Sequence, residues 1–165
     1  MSTTGHTSPT RWLRLLAGGL ALVALAVGGY LVARRDRLPA QGSPVYEEAT
    51  RRFYRGLASL HVGLLDQALK EFARTAELVP PEPAAWANLG LTNLRLGEFD
   101  AAAPPIERAA ALAPERSAIA FLQGQLETTR GRLDEGIAHL RRSVALDPRN
   151  LRARYALVQE IERSG

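Results

Sequence analysis

The chain has 165 residues, about the length of one domain, and its 46% apolar and 23% charged residues are ordinary for a globular chain and unlike a disordered one. It contains no cysteine, which excludes disulfides, thiolate metal sites, a cysteine nucleophile and a lipidated cysteine anchor. The formal net charge of +4 sits in residues 1–37, where Arg11, Arg14, Arg34, Arg35 and Arg37 oppose only Asp36; the remainder is balanced, so a phosphate-tracking surface and nucleic-acid binding are not expected.

The first predicted element is a helix over Leu15 to Ala33, a run without charge. As a helix it spans roughly 28 Å, close to the ~30 Å hydrocarbon core of a bilayer. Trp12 and Tyr30 lie near its ends, where amphipathic rings favour the interface, and arginines bracket it. The expectation is a single-pass anchor in a bacterial inner (plasma) membrane, the arginine-rich, lysine-poor composition suggesting a GC-rich bacterial source. A cleaved signal peptide is the alternative, although its apolar region is usually about 7–15 residues, and here Arg34-Arg35 follow the run directly. A buried soluble helix is a third. The flanking arginines nearly tie, so the side of the membrane is open. Ala17, Ala21, Ala24 and Gly28 form a small-residue stripe of the kind that permits close helix packing. Residues 34–43, with Pro39 and Gly42, read as a linker ending at Pro44.

Beyond it the sequence repeats with a period of 34 residues. Gly56, Gly90 and Gly124 recur at that spacing, as do Gly63, Gly97 and Gly131, and Pro80, Pro114 and Pro148. Large apolar residues recur at Leu65, Phe99 and Leu133, at Phe72, Ile106 and Leu140, and at Leu78, Leu112 and Leu146; small ones recur at Ala68, Ala102 and Gly136. Each unit then holds two amphipathic helices. The second glycine takes positive φ and ends the first helix, while the first glycine and the small residue let the two helices cross closely. The proline ends the second helix. The units are 44–82, 83–116 and 117–150. Residues 151–165 form a capping helix whose apolar face is Tyr155, Leu157, Val158 and Ile161. Pro104-Pro105 fall inside the second helix of the middle unit, just past Asp100 as its N-cap, and predict a late start or a kink there.

These residues resemble the tetratricopeptide repeat family. The middle unit carries the resemblance best, with Trp86, Asn88, Leu89, Gly90, Gly97, Phe99, Ala102, Ala109 and Pro114. The first unit has Arg52 and Arg55 in place of the family's tryptophan and leucine; the third has Ala120 and Gln123. The resemblance implies an all-α, helical-hairpin solenoid of three repeats plus a capping helix, behind the transmembrane helix. It also implies a concave groove lined by the first helices.

Carried over residue by residue, the groove positions are Phe53, Leu57, Leu60 and His61 in the first repeat, Ala87, Leu91, Leu94 and Arg95 in the second, Phe121 and Gln125 in the third, and Tyr155 in the cap. Thr128 and Arg152 fall on the same implied surface. Phe53, Leu57, Ala118 and Leu122 replace the basic and amide residues with which some relatives clamp chaperone carboxylates, and only Asn88 matches. The groove is thus expected to be apolar at its N-terminal end and polar towards the cap, suited to an amphipathic helix or apolar peptide. Phe53, Leu57 and Leu91 packing on one another, or under the 38–46 segment, is the alternative. No catalytic cluster or metal-ligand spacing is present, so no enzyme activity, cofactor or metal is expected; His61 and His139 read as surface or groove histidines. The expectation is a membrane-anchored interaction module or assembly scaffold for a protein or peptide partner from the membrane or envelope. Two alternatives stand beside it: a subunit of an envelope assembly machine (cytochrome c maturation, pilus or secretion), and a self-associating structural protein forming homo-oligomers.

Overall fold

A computed structural model describes residues 37–165, and the expected membrane-spanning segment at 15–33 lies outside the described residues. Among the described residues no helix is long and apolar enough to cross a membrane. They form helices only: α1 (Pro44–His61), α2 (Leu65–Leu78), α3 (Pro83–Leu96), α4 (Phe99–Leu112), α5 (Ser117–Thr129), α6 (Leu133–Leu146) and α7 (Leu151–Ser164). The helices pair as hairpins α1–α2, α3–α4 and α5–α6. Each hairpin packs on the next, and α7 packs on α6. The described residues form an all-α solenoid of helical hairpins, as the resemblance implied.

Local chemistry explains the boundaries. Ser43 caps α1 by accepting from the Tyr46 N–H, and Pro44 occupies the first turn, where its missing N–H leaves no bond unmade. Gly63, Gly97 and Gly131 stand at φ of 81°, 81° and 80° after the first helix of each repeat. The chain then closes each helix with the same six-to-one bond: the N–H of Leu64, Glu98 and Arg132 donates to the carbonyl of Ser59, Asn93 and Glu127, at 2.9 Å in every repeat.

The core repeats with the sequence. Phe72, Ile106 and Leu140 are among the largest fully buried side chains and lie beneath Gly56, Gly90 and Gly124. A Cβ on Gly56 would stand 2.8 Å from the Phe72 ring, and one on Gly124 2.7 Å from Leu140 Cγ, so the first glycine sets the distance between the paired helices. Leu91 packs against two core clusters, one built on Leu60, Ala68 and Phe72 and the other on Ile106, Leu122 and Leu126.

Three expectations are corrected. First, α4 begins at Phe99, in register with Leu65 and Leu133, and runs unbroken through Pro104 and Pro105. It does not start late, and Asp100 lies in its first turn instead of capping it. Pro105 leaves the carbonyl of Ala101 without its helical donor, and the Asn93 amide of α3 donates to it at 3.2 Å.

Second, α7 does not bury the predicted face. Ala153 is its buried residue and Leu157 is half-buried, while Tyr155, Val158 and Ile161 are exposed. Third, Thr128 faces α6, where its methyl group occupies the space a side chain on Gly136 would need.

Where the first repeat lacks tryptophan and leucine, charge replaces them. Arg52 bonds Glu48 at 2.9 Å and Glu71 at 3.2 Å, and Arg55 bonds Glu71 at 3.1 Å, tying α1 to the buried Glu71 of α2. The Arg52 hydrogen bond holds Glu48 below the usual carboxylate range, and Glu48 in turn raises Arg52. The third repeat, where Ala120 stands for tryptophan, holds a polar knot. Ser117 and Ser143 each donate to the other's carbonyl, at 2.9 and 2.8 Å, and Asn150 Nδ2 donates to Ser117 Oγ at 2.9 Å. Asn150 also caps α7, so the knot joins α5, α6 and α7.

Candidate binding groove

The first helices of the second and third repeats, α3 and α5, together with α7, enclose a hollow of about 780 Å³. Of the sequence-predicted positions, Ala87, Leu91, Leu94, Arg95, Phe121, Gln125 and Tyr155 line it. The structure brings these seven together on one concave surface.

The four positions of the first repeat do not line that hollow. Leu60 is 7% exposed and belongs to the core. Phe53 and Leu57 pack against the same cluster; Phe53 meets Phe72 edge-on, with ring centroids 5.8 Å apart. His61 is exposed in the last turn of α1. The physical reason is the approach of α3: Leu89 and Leu91 pack onto the same Leu60, Ala68 and Phe72 cluster as Phe53 and Leu57. The groove's expected apolar N-terminal end is therefore occupied by packing within the fold, whereas its centre and cap end are open.

The chemistry of the open part is a floor of Leu91, Leu94, Phe121 and Leu122 under a polar rim. Three arginines reach that rim: Arg95, Arg116 and Arg152. None of them forms an ion pair among the described residues, and no aspartate or glutamate lines the hollow. Arg95 is oriented by donating from Nη1 to the Leu60 carbonyl at 3.2 Å, a bond that leaves its charge uncompensated. Asn88 spends one amide hydrogen on the Ala84 carbonyl at 2.8 Å and keeps its other groups available. Gln125 and Gln159 add side-chain amides.

Sequence reasoning missed Arg116 and Asn150, which line the hollow although both precede a helix instead of lying within it. They occupy one register, the residue before the first helix of each unit. Glu82, which caps α3 by accepting from the Ala84 N–H at 3.0 Å, is their equivalent in the second repeat. The signal available was that register: an N-cap residue of a groove-lining helix stands at the groove's edge.

No curated protein matches this sequence. Among solved structures, the first TPR domain of Spaghetti (RPAP3), bound to the HSP90 peptide SRMEEVD, superposes with a TM-score of 0.67 at 20% identity, covering 71% of this chain and 93% of that one. The Arabidopsis OM64 TPR domain gives 0.66 at 18% identity, covering 69% and 94%. MamA from Desulfovibrio magneticus RS-1 gives 0.64 at 23%, covering 70% and 66%. These likenesses establish a shared fold. The tetratricopeptide repeat family model matches residues 58–117 and 87–150, more than half of the chain. With the 34-residue register of glycines, buried residues and prolines, that match places the chain in the tetratricopeptide repeat family.

Proposed function

We propose that this chain is a protein-interaction module that holds a peptide or helical segment of a partner in the hollow formed by α3, α5 and α7. One observation carries the reading: three arginines that form no ion pair among the described residues, with no carboxylate in the lining, surround an apolar floor. The complementary ligand is amphipathic and acidic. Its apolar side chains fill the floor and supply most of the affinity, and its carboxylates meet the guanidinium groups, which fix register and speed encounter. The acidic peptide bound to the similar RPAP3 domain supports this chemistry. The residues used here differ from the clamp of such relatives, since the positive charge comes from Arg95, Arg116 and Arg152.

Anchoring at residues 15–33 belongs to the same proposal. A tethered groove meets a membrane or envelope partner at raised effective concentration, so a modest affinity suffices. This arrangement suits a scaffold or a subunit of an envelope assembly machine.

The test is selection from a displayed library of random peptides against the full chain in detergent micelles, with Arg116→Glu/Arg152→Glu as the counter-target. The expected result is enrichment of acidic, amphipathic peptides that bind the charge-reversed protein at least about tenfold more weakly, each tenfold corresponding to about 1.4 kcal/mol. Enrichment of sequences without acidic residues, or binding unchanged by the reversal, overturns the reading.

A further inference from the structure

Helix α7 has two apolar faces, and the fold uses one. Its inward side carries the buried Ala153 and the half-buried Ala156 and Leu157. On the opposite side Leu151 is 72% exposed, Tyr155 67%, Val158 53% and Ile161 42%. At about 100° per residue these four residues share an arc of roughly 120° with Arg154 and Glu162, both also exposed. Single exposed apolar residues are ordinary, whereas a continuous strip along one helix face marks an interaction surface.

The strip also has a direction. Arg154 lies towards its N-terminal end and Glu162 towards its C-terminal end, and neither forms an ion pair among the described residues. The one ion pair on this helix, Arg163 with Glu160 at 2.8 Å, lies outside the strip.

We propose that this face of α7 is a homodimer interface, in which α7 packs antiparallel on α7 of a second copy. The charge pattern selects this occupant. With Val158 on the twofold axis, residues an equal number of positions to either side meet across the interface. Arg154 of each copy then meets Glu162 of the other, and Tyr155 meets Ile161, so two ion pairs flank a continuous apolar seam. A parallel pairing would set arginine on arginine and glutamate on glutamate. A single helix pair is a small interface, so the dimer is weak and concentration-dependent. It shares Tyr155 with the hollow, but Val158, Ile161, Arg154 and Glu162 do not line it, so reversing the two charges leaves the peptide-binding residues in place.

Charge exchange tests it. Sedimentation equilibrium of the full chain in density-matched detergent is compared for the wild type, Arg154→Glu, Glu162→Arg and the double reversal. Both residues are exposed and form no hydrogen bonds through their side chains among the described residues, and circular dichroism checks that helical content is kept. The wild type is expected to dimerise, and each single reversal to weaken the dimer about tenfold, since it places two like-charged pairs across the axis. The double reversal is expected to restore it, as is an equimolar mixture of the two single variants. A wild type that stays monomeric overturns the proposal, as does a dimer indifferent to the single reversals. Failure of the double reversal to restore the dimer overturns it too.

Discussion

Asn93 shows how one side chain repairs a backbone defect. Pro105 lacks the N–H that the carbonyl of Ala101 would accept in an uninterrupted helix, and the buried Asn93 supplies a donor from the neighbouring helix at 3.2 Å. Asn93→Ala is therefore expected to cost about 1 kcal/mol, measured by urea denaturation. In a Pro105→Ala background, where the backbone donor returns, the same change is expected to cost markedly less. Equal costs in the two backgrounds would show that the amide serves something else. The two prolines were visible in the sequence, and so was the trouble they bring. The remedy was not, because Asn93 precedes them on another helix and only the α3–α4 crossing brings it to Ala101. The Ser117–Ser143–Asn150 knot was hidden for the same reason: its three members are far apart in the chain and small enough to pass as ordinary polar residues.

At the scale of elements, α1 and α7 depart from what their sequences suggest. Among the described residues, α1 packs on α2 and α7 on α6, without the flanking hairpins on both sides that the middle helices have. On α1 the residues expected to line the groove, Phe53 and Leu57, pack instead against the cluster of Leu60, Ala68 and Phe72, as Leu89 and Leu91 of α3 also do. Leu57→Glu thus strikes the packing. It is expected to lower stability by about 2 kcal/mol in urea denaturation, because a carboxylate must then sit beside the Phe72 cluster. Arg152→Glu, on the exposed wall of the hollow, is expected to change stability by no more than about 0.5 kcal/mol while weakening peptide capture. A Leu57→Glu protein as stable as the wild type would show that this part of the groove is open. On α7 the expected apolar face is split: Leu157 turns with Ala153 towards the solenoid, while Tyr155, Val158 and Ile161 stay exposed. Helical period fixes which residues share a face; it does not say which of two apolar faces the neighbour takes.

For the molecule as a whole, overall charge conceals local charge. Residues 38–165 are balanced between basic and acidic, yet the lining of the hollow holds three arginines and no acid. The acids lie elsewhere, several of them in ion pairs such as Glu71 with Arg52 and Arg55, and Glu127 with Arg132. A basic hollow in a neutral domain predicts salt-dependent capture. Binding of an acidic peptide, followed by fluorescence anisotropy, is expected to weaken as sodium chloride is raised from low to physiological concentration, where charges beyond about 8 Å are screened. The slope is expected to flatten in Arg116→Glu/Arg152→Glu. An affinity that does not respond to salt would assign the binding energy to the apolar floor alone.

The repeat itself was determined locally. Glycine at the turn, glycine or alanine at the crossing, a large apolar residue beneath and proline at the exit each do a job that depends on their own backbone or volume, and a 34-residue period repeats the job three times. The family and the helix pairs therefore followed from the sequence, and the resemblance led to seven residues that line the hollow. What tertiary structure decided was which surfaces remain open. Leu91 closes the first-repeat end of the groove, the turns before α5 and α7 bring Arg116 and Asn150 to its edge, and α7 turns one of its two apolar faces outward. Each of these depends on where a neighbouring helix comes to rest, a sum of many weak contacts between residues distant in the chain.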